Sequence, residues 1–307
     1  MKKRIFCTIF TPTYNRKDTL PRLYTSLKNQ TNFNFEWVII DDGSTDNTEM
    51  LINCFKEQTN QFDIIYKKTL NGGKHRAINN GLDIANGKMF FIVDSDDYIV
   101  NNAIEIIEYY ENSIHNLNEK FAGVSGLRKN SYNNIIGTAL STEFIDATNI
   151  EREKFNLIGD KAEVYYTDIL KKYKFPEFEG ENFLTESVIW NKIAFEGYKI
   201  RWFNVPICIC DYRNDGLTQN YFKNLSKNLN GYLYTIKCDT KYLNLSILRK
   251  IQLYYNYYKL NKISTKINSQ EISKKLGINI IYLYLIVILG KTYNCLKRHI
   301  NEKRIIN

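Results

Sequence analysis

Residues 89–97 read MFFIVDSDD: five apolar positions from Met89 to Val93, then Asp94, Ser95, Asp96 and Asp97. A continuous apolar run of this length reads as a strand buried on both faces. Three carboxylates then arrive within four positions, just beyond the strand's carboxyl end. That end is where open α/β sheets bind their ligands. Crowded carboxylates repel one another, and a cation relieves the repulsion. Hard oxygen donors suit Mg²⁺ or Mn²⁺. The competing reading is a polar turn in which Asp94 or Ser95 caps the next helix.

Working outward, the same arrangement recurs. Residues 4–10 are apolar and β-prone, a first strand that leads into TPTYNR at 11–16. Residues 18–30 show helical spacing through Leu20, Leu23 and Leu27, with Asp18 as the cap. Residues 37–40 form a second buried strand that ends in DDGSTD at 41–46. A helix over 49–57 and a third strand over 62–66 follow. Then come the turn at 71–73 and a helix over 74–85, stopped by Asn86 and Gly87. This alternation predicts a parallel, doubly wound α/β sheet. Beyond it we expect a helix over 103–118 and a strand over 122–127. Residues 130–160 are polar and carry no clear element. A helix is expected over 165–173, another over 188–196, and strands over 198–203 and 206–212.

Composition narrows the function classes. The chain has 307 residues with a formal net charge of +9. Residues 241–307 carry 13 Lys and Arg against two Glu, which leaves 29 basic and 31 acidic residues before Lys241. The positive charge is thus a property of the tail, and a globally basic nucleic-acid binder would not show this split. The six cysteines form no CxxC pair, and Cys7 and Cys54 sit in apolar runs. They read as reduced, mostly buried thiols of an intracellular protein. Cys208 and Cys210 would share one face of a strand; zinc is a weak alternative there, with no second pair beside them.

Four loops, 11–16, 41–46, 71–76 and 94–97, therefore point to one edge of one sheet. With TPTYNR, DDGSTD, the NGG…A..NGL segment at 71–82 and DSDD in this order, the sequence resembles the family-2 glycosyltransferases, which have the GT-A fold. The resemblance covers roughly residues 4–217. It implies a Rossmann-like, mostly parallel sheet flanked by helices in a catalytic domain over 1–220. Residues 1–100 would be the nucleotide-binding half and 101–220 the acceptor half, and a basic, Tyr-rich helical extension would occupy 221–307. It also implies a nucleotide-activated sugar, usually a uridine diphosphate sugar, with Mn²⁺ or Mg²⁺.

On that reading Asp41 accepts from the uracil N3–H, Tyr14 packs on the base, and the backbone at Thr11 and Pro12 borders it. Arg16 and Lys74 meet phosphate charge. Asp94, with Ser95, faces the ribose side. Asp96 is the first choice as metal ligand and Asp97 the second, the metal offsetting charge on the departing diphosphate. Tyr14 reads alternatively as a core aromatic, Asp42 and Asp46 as helix caps, and Asn79 and Gly81 as packing residues.

The family places its general base just before a helix of the form W..(I/L)A..GY. Trp190, Ile193, Ala194, Gly197 and Tyr198 match it, which puts Glu186 at the base position. The family shows Glu–Asp there and this chain has Thr185 and Glu186. Glu181 is the runner-up, and the structural alternative for Glu186 is a helix N-terminus. Arg213 sits in a polar loop over 213–218 that reads as a lid near the diphosphate.

After about residue 221 the chain is rich in Tyr, Asn and Lys. The apolar run at 280–289 would cover ~15 Å as a helix, short of a ~30 Å hydrocarbon core. It suits a packed core helix or a face in the membrane interface, the latter at the inner face of the cell membrane with a lipid-linked or glycan acceptor. Packing on the catalytic domain or on a second subunit is the alternative. Three competing functions share some features. A dinucleotide oxidoreductase would need glycines in the loop after the first strand, and TPTYNR has none. An aspartate-nucleophile phosphatase would carry its Asp pair after the first strand rather than the fourth. A non-catalytic sugar-nucleotide-binding module would bind without turnover.

Overall fold

The computed structural model describes residues 5–211, 221–265 and 267–305, with the side chains described up to Tyr293. The chain divides into two units, one of residues 1–176 with 189–214 and one of 177–188 with 215–307. In the first, four parallel strands come from the alternating half of the sequence: β1 (Cys7–Thr13), β2 (Phe35–Asp41), β3 (Asp63–Lys68) and β4 (Met89–Ile92). Helices α1 (Leu20–Lys28), α2 (Thr48–Gln58) and α3 (Lys74–Ile84) connect them, and α4 (Ala103–Ile114) follows the two-residue strand β5 (Tyr98–Ile99).

The apolar side chains of β1, β2 and β4 are buried on both faces, and α1 buries Leu20, Leu23, Tyr24 and Leu27 on the sheet. Tyr24 stacks on Phe55 of α2 at 4.0 Å between ring centres. Trp37 is fully buried and donates its indole N–H to Thr11 Oγ1 at 2.9 Å. The register is held by a buried carboxylate. Glu36 accepts from the Thr8 hydroxyl (2.6 Å), the Asn86 backbone N–H (2.7 Å) and the Asn86 amide (3.0 Å). Gly87 allows the turn before β4 to lie against β1, because a Cβ there would sit 2.2 Å from the Thr8 nitrogen.

The other half of the sheet is mixed. Strands β6 (Phe121–Lys129), β7 (Phe144–Ala147), β8 (Lys161–Tyr166) and β9 (Lys199–Ile209) complete the order β3-β2-β1-β4-β8-β6-β9-β5, with β7 beside β9. β8 runs antiparallel between β4 and β6, whereas β6 and β9 pair in parallel. The expected helix over 165–173 is therefore corrected: residues 161–166 are a strand, and only α5 (Thr167–Leu170) is helical. Pairing on both sides outweighed local propensity. The two strands expected over 198–212 are one, β9. It contains Pro206, tolerated where the β6 register shifts between Ser125 and Leu127. Helix α1 starts at Leu20 after Thr19, so Asp18 is not its cap. Cys54 is exposed, contrary to its apolar neighbourhood in sequence; Cys7, Cys208, Cys210 and Cys238 are buried.

The second unit is helical: α7 (Tyr221–Lys227), α8 (Leu229–Tyr242), α9 (Ile247–Ser264), α10 (Ser269–Leu276) and α11 (Ile280–Ile305). It has its own core, in which Tyr232, Ile236, Tyr257, Ile272, Leu283 and Ile286 pack together. The helix between the strands of the first unit's second half, α6 (Ser187–Phe195), begins directly after Glu186.

Candidate active site

The carboxyl ends of β1, β2, β3 and β4 form one rim, because all four strands are parallel. Thr13 lies opposite Asp41, Asp41 opposite Lys68, and Phe10 opposite Ile92. Asn15 laces the first two loops together. Its Oδ1 accepts from the Thr45 and Asp46 backbone N–H groups at 2.8 and 3.3 Å, and its own N–H donates to Ser44 Oγ at 2.9 Å. Its φ of 51° is a left-handed conformation that Asn tolerates better than most side chains. Sequence reading passed over Asn15, although an Asn within a Tyr-Asn-Arg turn is a signal for such a backbone.

The two acids after β2 hold the loops in shape. Asp41 is fully buried; Oδ1 accepts the Ser44 N–H (2.7 Å) and Oδ2 accepts the Tyr66 hydroxyl (2.8 Å). Both oxygens thus accept one hydrogen bond inside the protein, and each keeps a further lone pair. Asp42 does not cap α2. It accepts from the Gly72 and Gly73 N–H groups at 2.7 and 2.8 Å, joining the second loop to the third. Burial pushes the Asp42 carboxyl up and those two N–H groups pull it back. Asp46 does serve the helix start, accepting from Thr48 N–H at 3.0 Å.

The fourth loop presents the acids. Asp94 pairs with Lys74 through both oxygens, at 2.7 and 2.9 Å. Burial would raise the Asp94 carboxyl, yet Lys74, Arg128 and Arg16 together hold it below the usual carboxylate range. Asp96 is half-buried; its main-chain carbonyl accepts from Arg22, while its carboxylate has no partner among the described residues. Ser95 is buried. Tyr14 is 47% exposed, so it is a rim aromatic and not a core one. Thr11 is buried with its hydroxyl bound to Trp37, and Pro12 and Arg16 are half-buried beside it. His75 is buried, and Asn79 exchanges two hydrogen bonds with the Phe175 backbone, a packing role as expected.

Asp97 is placed differently from Asp96. It is buried, and its Oδ2 lies 2.8 Å from Arg128 Nη1. Arg128 also donates to the Lys161 carbonyl (2.9 Å) and to Cys210 Sγ (3.2 Å). The ligand atoms of Asp97, Cys208 and Cys210 lie within 4.8 Å of one another, and the guanidinium supplies the positive charge there. Burial raises the Asp97 carboxyl and Arg128 opposes that rise. Through this ion pair the Asp97 carboxylate anchors the loop that carries Asp96. Arg128 itself was missed, its signal being a lone Arg at the end of the apolar run 121–127.

Glu181 and Glu186 lie in the second unit. The Glu181 carboxylate accepts from the Asn230 and Gly231 N–H groups, at 2.8 and 2.7 Å, in the first turn of α8. Glu181, the runner-up for a base, thus serves as a cap at the N-terminus of α8. Glu186 is half-buried, directly before α6. Arg213 lies outside the described residues.

The Lys74–Asp94 pair gives a measurable signature. The pair is partly exposed, so it contributes on the order of 1 kcal/mol or less. A carboxylate held low stabilises the fold above its unfolded value of about 3.9, and that contribution is lost as pH falls through the lowered value. Lys74→Met, measured metal-free, is expected to lower Tm at pH 6 to 7. The gap to the parent chain should narrow as pH falls below the unfolded value of about 3.9 and go on narrowing toward the lowered value. A gap that is the same at pH 3 and pH 7 would remove the ion pair as its cause.

Residues 8–112 match the family model described as Glycosyl transferase family 2. The fold and this match define the class: the chain carries a family 2 glycosyltransferase domain with the GT-A fold. Among curated proteins, it is 34% identical over 100 residues to the glycosyltransferase GlyG of Streptococcus pneumoniae serotype 4, over 33% of each chain. It thus spans about a third of that relative's length. It is 24% identical over 255 residues to the GalNAc(5)-diNAcBac-PP-undecaprenol beta-1,3-glucosyltransferase of Campylobacter jejuni, covering 78% of this chain and 75% of that one. Among solved structures, S. aureus TarS 1-349 in complex with UDP-GlcNAc superposes with a TM-score of 0.64 at 17% identity, over 94% and 91% of the two chains. At that identity the likeness concerns the fold alone.

Proposed function

We propose that this chain transfers a sugar, with inversion, from a nucleotide diphosphate sugar, a UDP-sugar, to a hydroxyl of a glycan or lipid-linked acceptor. The setting is cell-surface polysaccharide synthesis on the cytoplasmic side of the membrane. One observation carries the reading. On the rim of a parallel sheet, the Asp96 carboxylate has no partner among the described residues and stands beside a Lys74–Asp94 pair. A single free carboxylate fits Mg²⁺ or Mn²⁺, which complete their shells with waters and phosphate oxygens. Asp96 would hold the ion, which when bound supplies Lewis-acid charge against the diphosphate.

The remaining roles belong to side chains. The exposed Tyr14 ring stacks on the base, with Thr11 and Pro12 along its edge. Lys74 and Arg16 attract the diphosphate, and Asp94 with Ser95 borders the ribose. Glu186 takes the acceptor hydroxyl proton. The acceptor oxygen bonds to the sugar C1 as the C1–O bond to phosphate breaks, and the nucleoside diphosphate leaves with that electron pair. The relative from Campylobacter jejuni, named for an undecaprenol-linked substrate, supports a lipid-linked acceptor class.

The test is a donor screen with Mn²⁺ that scores released nucleoside diphosphate and glycosylated product. Turnover of at least one UDP-sugar in the presence of a lipid-linked or glycan acceptor is the expected result. Nucleotide binding without product from any donor would sink the transferase reading in favour of a binding module.

A further inference from the structure

Helix α11 is apolar around its whole circumference from Ile280 to Leu289, but only one side of it is used. Leu283, Ile286 and Val287 are buried, and Gly290 lies so close to Tyr255 that a Cβ would meet the ring at 2.4 Å. The opposite side is open. Ile281 is 69% exposed and Ile288 59%, with Tyr284, Leu285 and Leu289 each at least half exposed and Tyr282 and Tyr293 close to it. Apolar side chains at 281, 285 and 288 follow the i, i+4, i+7 spacing of one helix face. Together these seven side chains offer on the order of 500 Å² of contiguous surface, as large as the main apolar patch of a typical monomer.

Charge says what covers this face. Lys274 and Lys275 in the last turn of α10, just before α11 in the chain, and Lys291 on α11 are exposed. The sequence beyond residue 293 adds Lys297, Arg298, Lys303 and Arg304 against one Glu, Glu302. Two copies of the face packed together would bring these like charges into one interface. A surface that is apolar below and anionic at its boundary accepts both features. The tyrosines, each with an apolar ring and a polar tip, suit the same boundary. No single helix among the described residues is long and apolar enough to cross a membrane. The fourteen residues from Ile280 to Tyr293 cover ~21 Å.

We propose that the outer face of α11 lies in the interface of an anionic lipid bilayer, apolar side chains down and lysines among the headgroups. The inference concerns the second unit alone and holds whether or not the transferase reading does. It is tested by flotation of the full chain with vesicles of phosphatidylcholine alone or with 30% phosphatidylglycerol. The chain should float with the anionic vesicles and at least tenfold less with the neutral ones, and raising salt should release it. Leu285→Glu with Ile288→Glu should weaken flotation at least tenfold while leaving the circular dichroism and Tm unchanged, since both side chains are exposed. Lys274→Glu with Lys275→Glu should weaken it several-fold by charge alone. Absence of flotation with anionic vesicles at low salt would overturn the proposal. So would unchanged flotation of the Leu285→Glu, Ile288→Glu variant, or a stable dimer in solution that this variant converts to monomer.

Discussion

Asp96→Asn is expected to lower the transfer rate by about 10³-fold, on the order of 4 kcal/mol of transition-state stabilisation. The substitution keeps the shape of the side chain and removes its charge, which is what a divalent ion binds. The parent carboxylate has no protein partner among the described residues, and the hydrogen bond from Arg22 goes to the Asp96 main-chain carbonyl. The fold therefore loses nothing, and Tm should stay within the scatter of a surface substitution, about ±0.5 kcal/mol. Two readouts separate the outcomes. Calorimetry should show that manganese no longer strengthens nucleoside diphosphate binding, and a turnover assay should show the loss of rate. Retained manganese-dependent affinity would take Asp96 off the rim's ligand list.

Arg128→Met carries the largest expected effect on stability, a loss of about 3–5 kcal/mol. The guanidinium is 15% exposed and serves three groups at once: Asp97, the Lys161 carbonyl and Cys210. Its removal leaves the buried Asp97 carboxyl without its charged donor, which costs more than the pair contributed. The double variant Arg128→Met, Asp97→Leu replaces both charges with apolar groups and should recover most of the loss. Chemical denaturation of the parent, both singles and the double closes the cycle. Additive losses in the double variant would show that the two residues act independently. The Arg128→Met single should also lose activity, because Asp97 anchors the loop one residue from Asp96.

Much of the first unit was legible because its signals are local. An apolar run such as 89–93 is a strand wherever it is placed, and a strand followed by a helical pattern four times over forces parallel pairing. The second half was not legible for the opposite reason. Residues 161–166 combine Lys, Glu and two Tyr, and are a strand only because β4 and β6 flank them with free edges. Residues 144–147 are a strand only because β9 offers its other edge.

The same division runs through the site. From sequence alone came the rim itself, since four polar loops after four buried strands must gather at the carboxyl edge of a parallel sheet. From it came also the two carboxylates, Asp96 ranked ahead of Asp97, with nothing in their spacing to show what either one touches. Only tertiary structure told them apart. An arginine 31 residues further along the chain reaches one and leaves the other open, and Tyr66 and Ser44 likewise claim Asp41. The physical reason is that a carboxylate's availability depends on which donors lie within about 3 Å of it. Distance across the fold is not written in spacing along the chain.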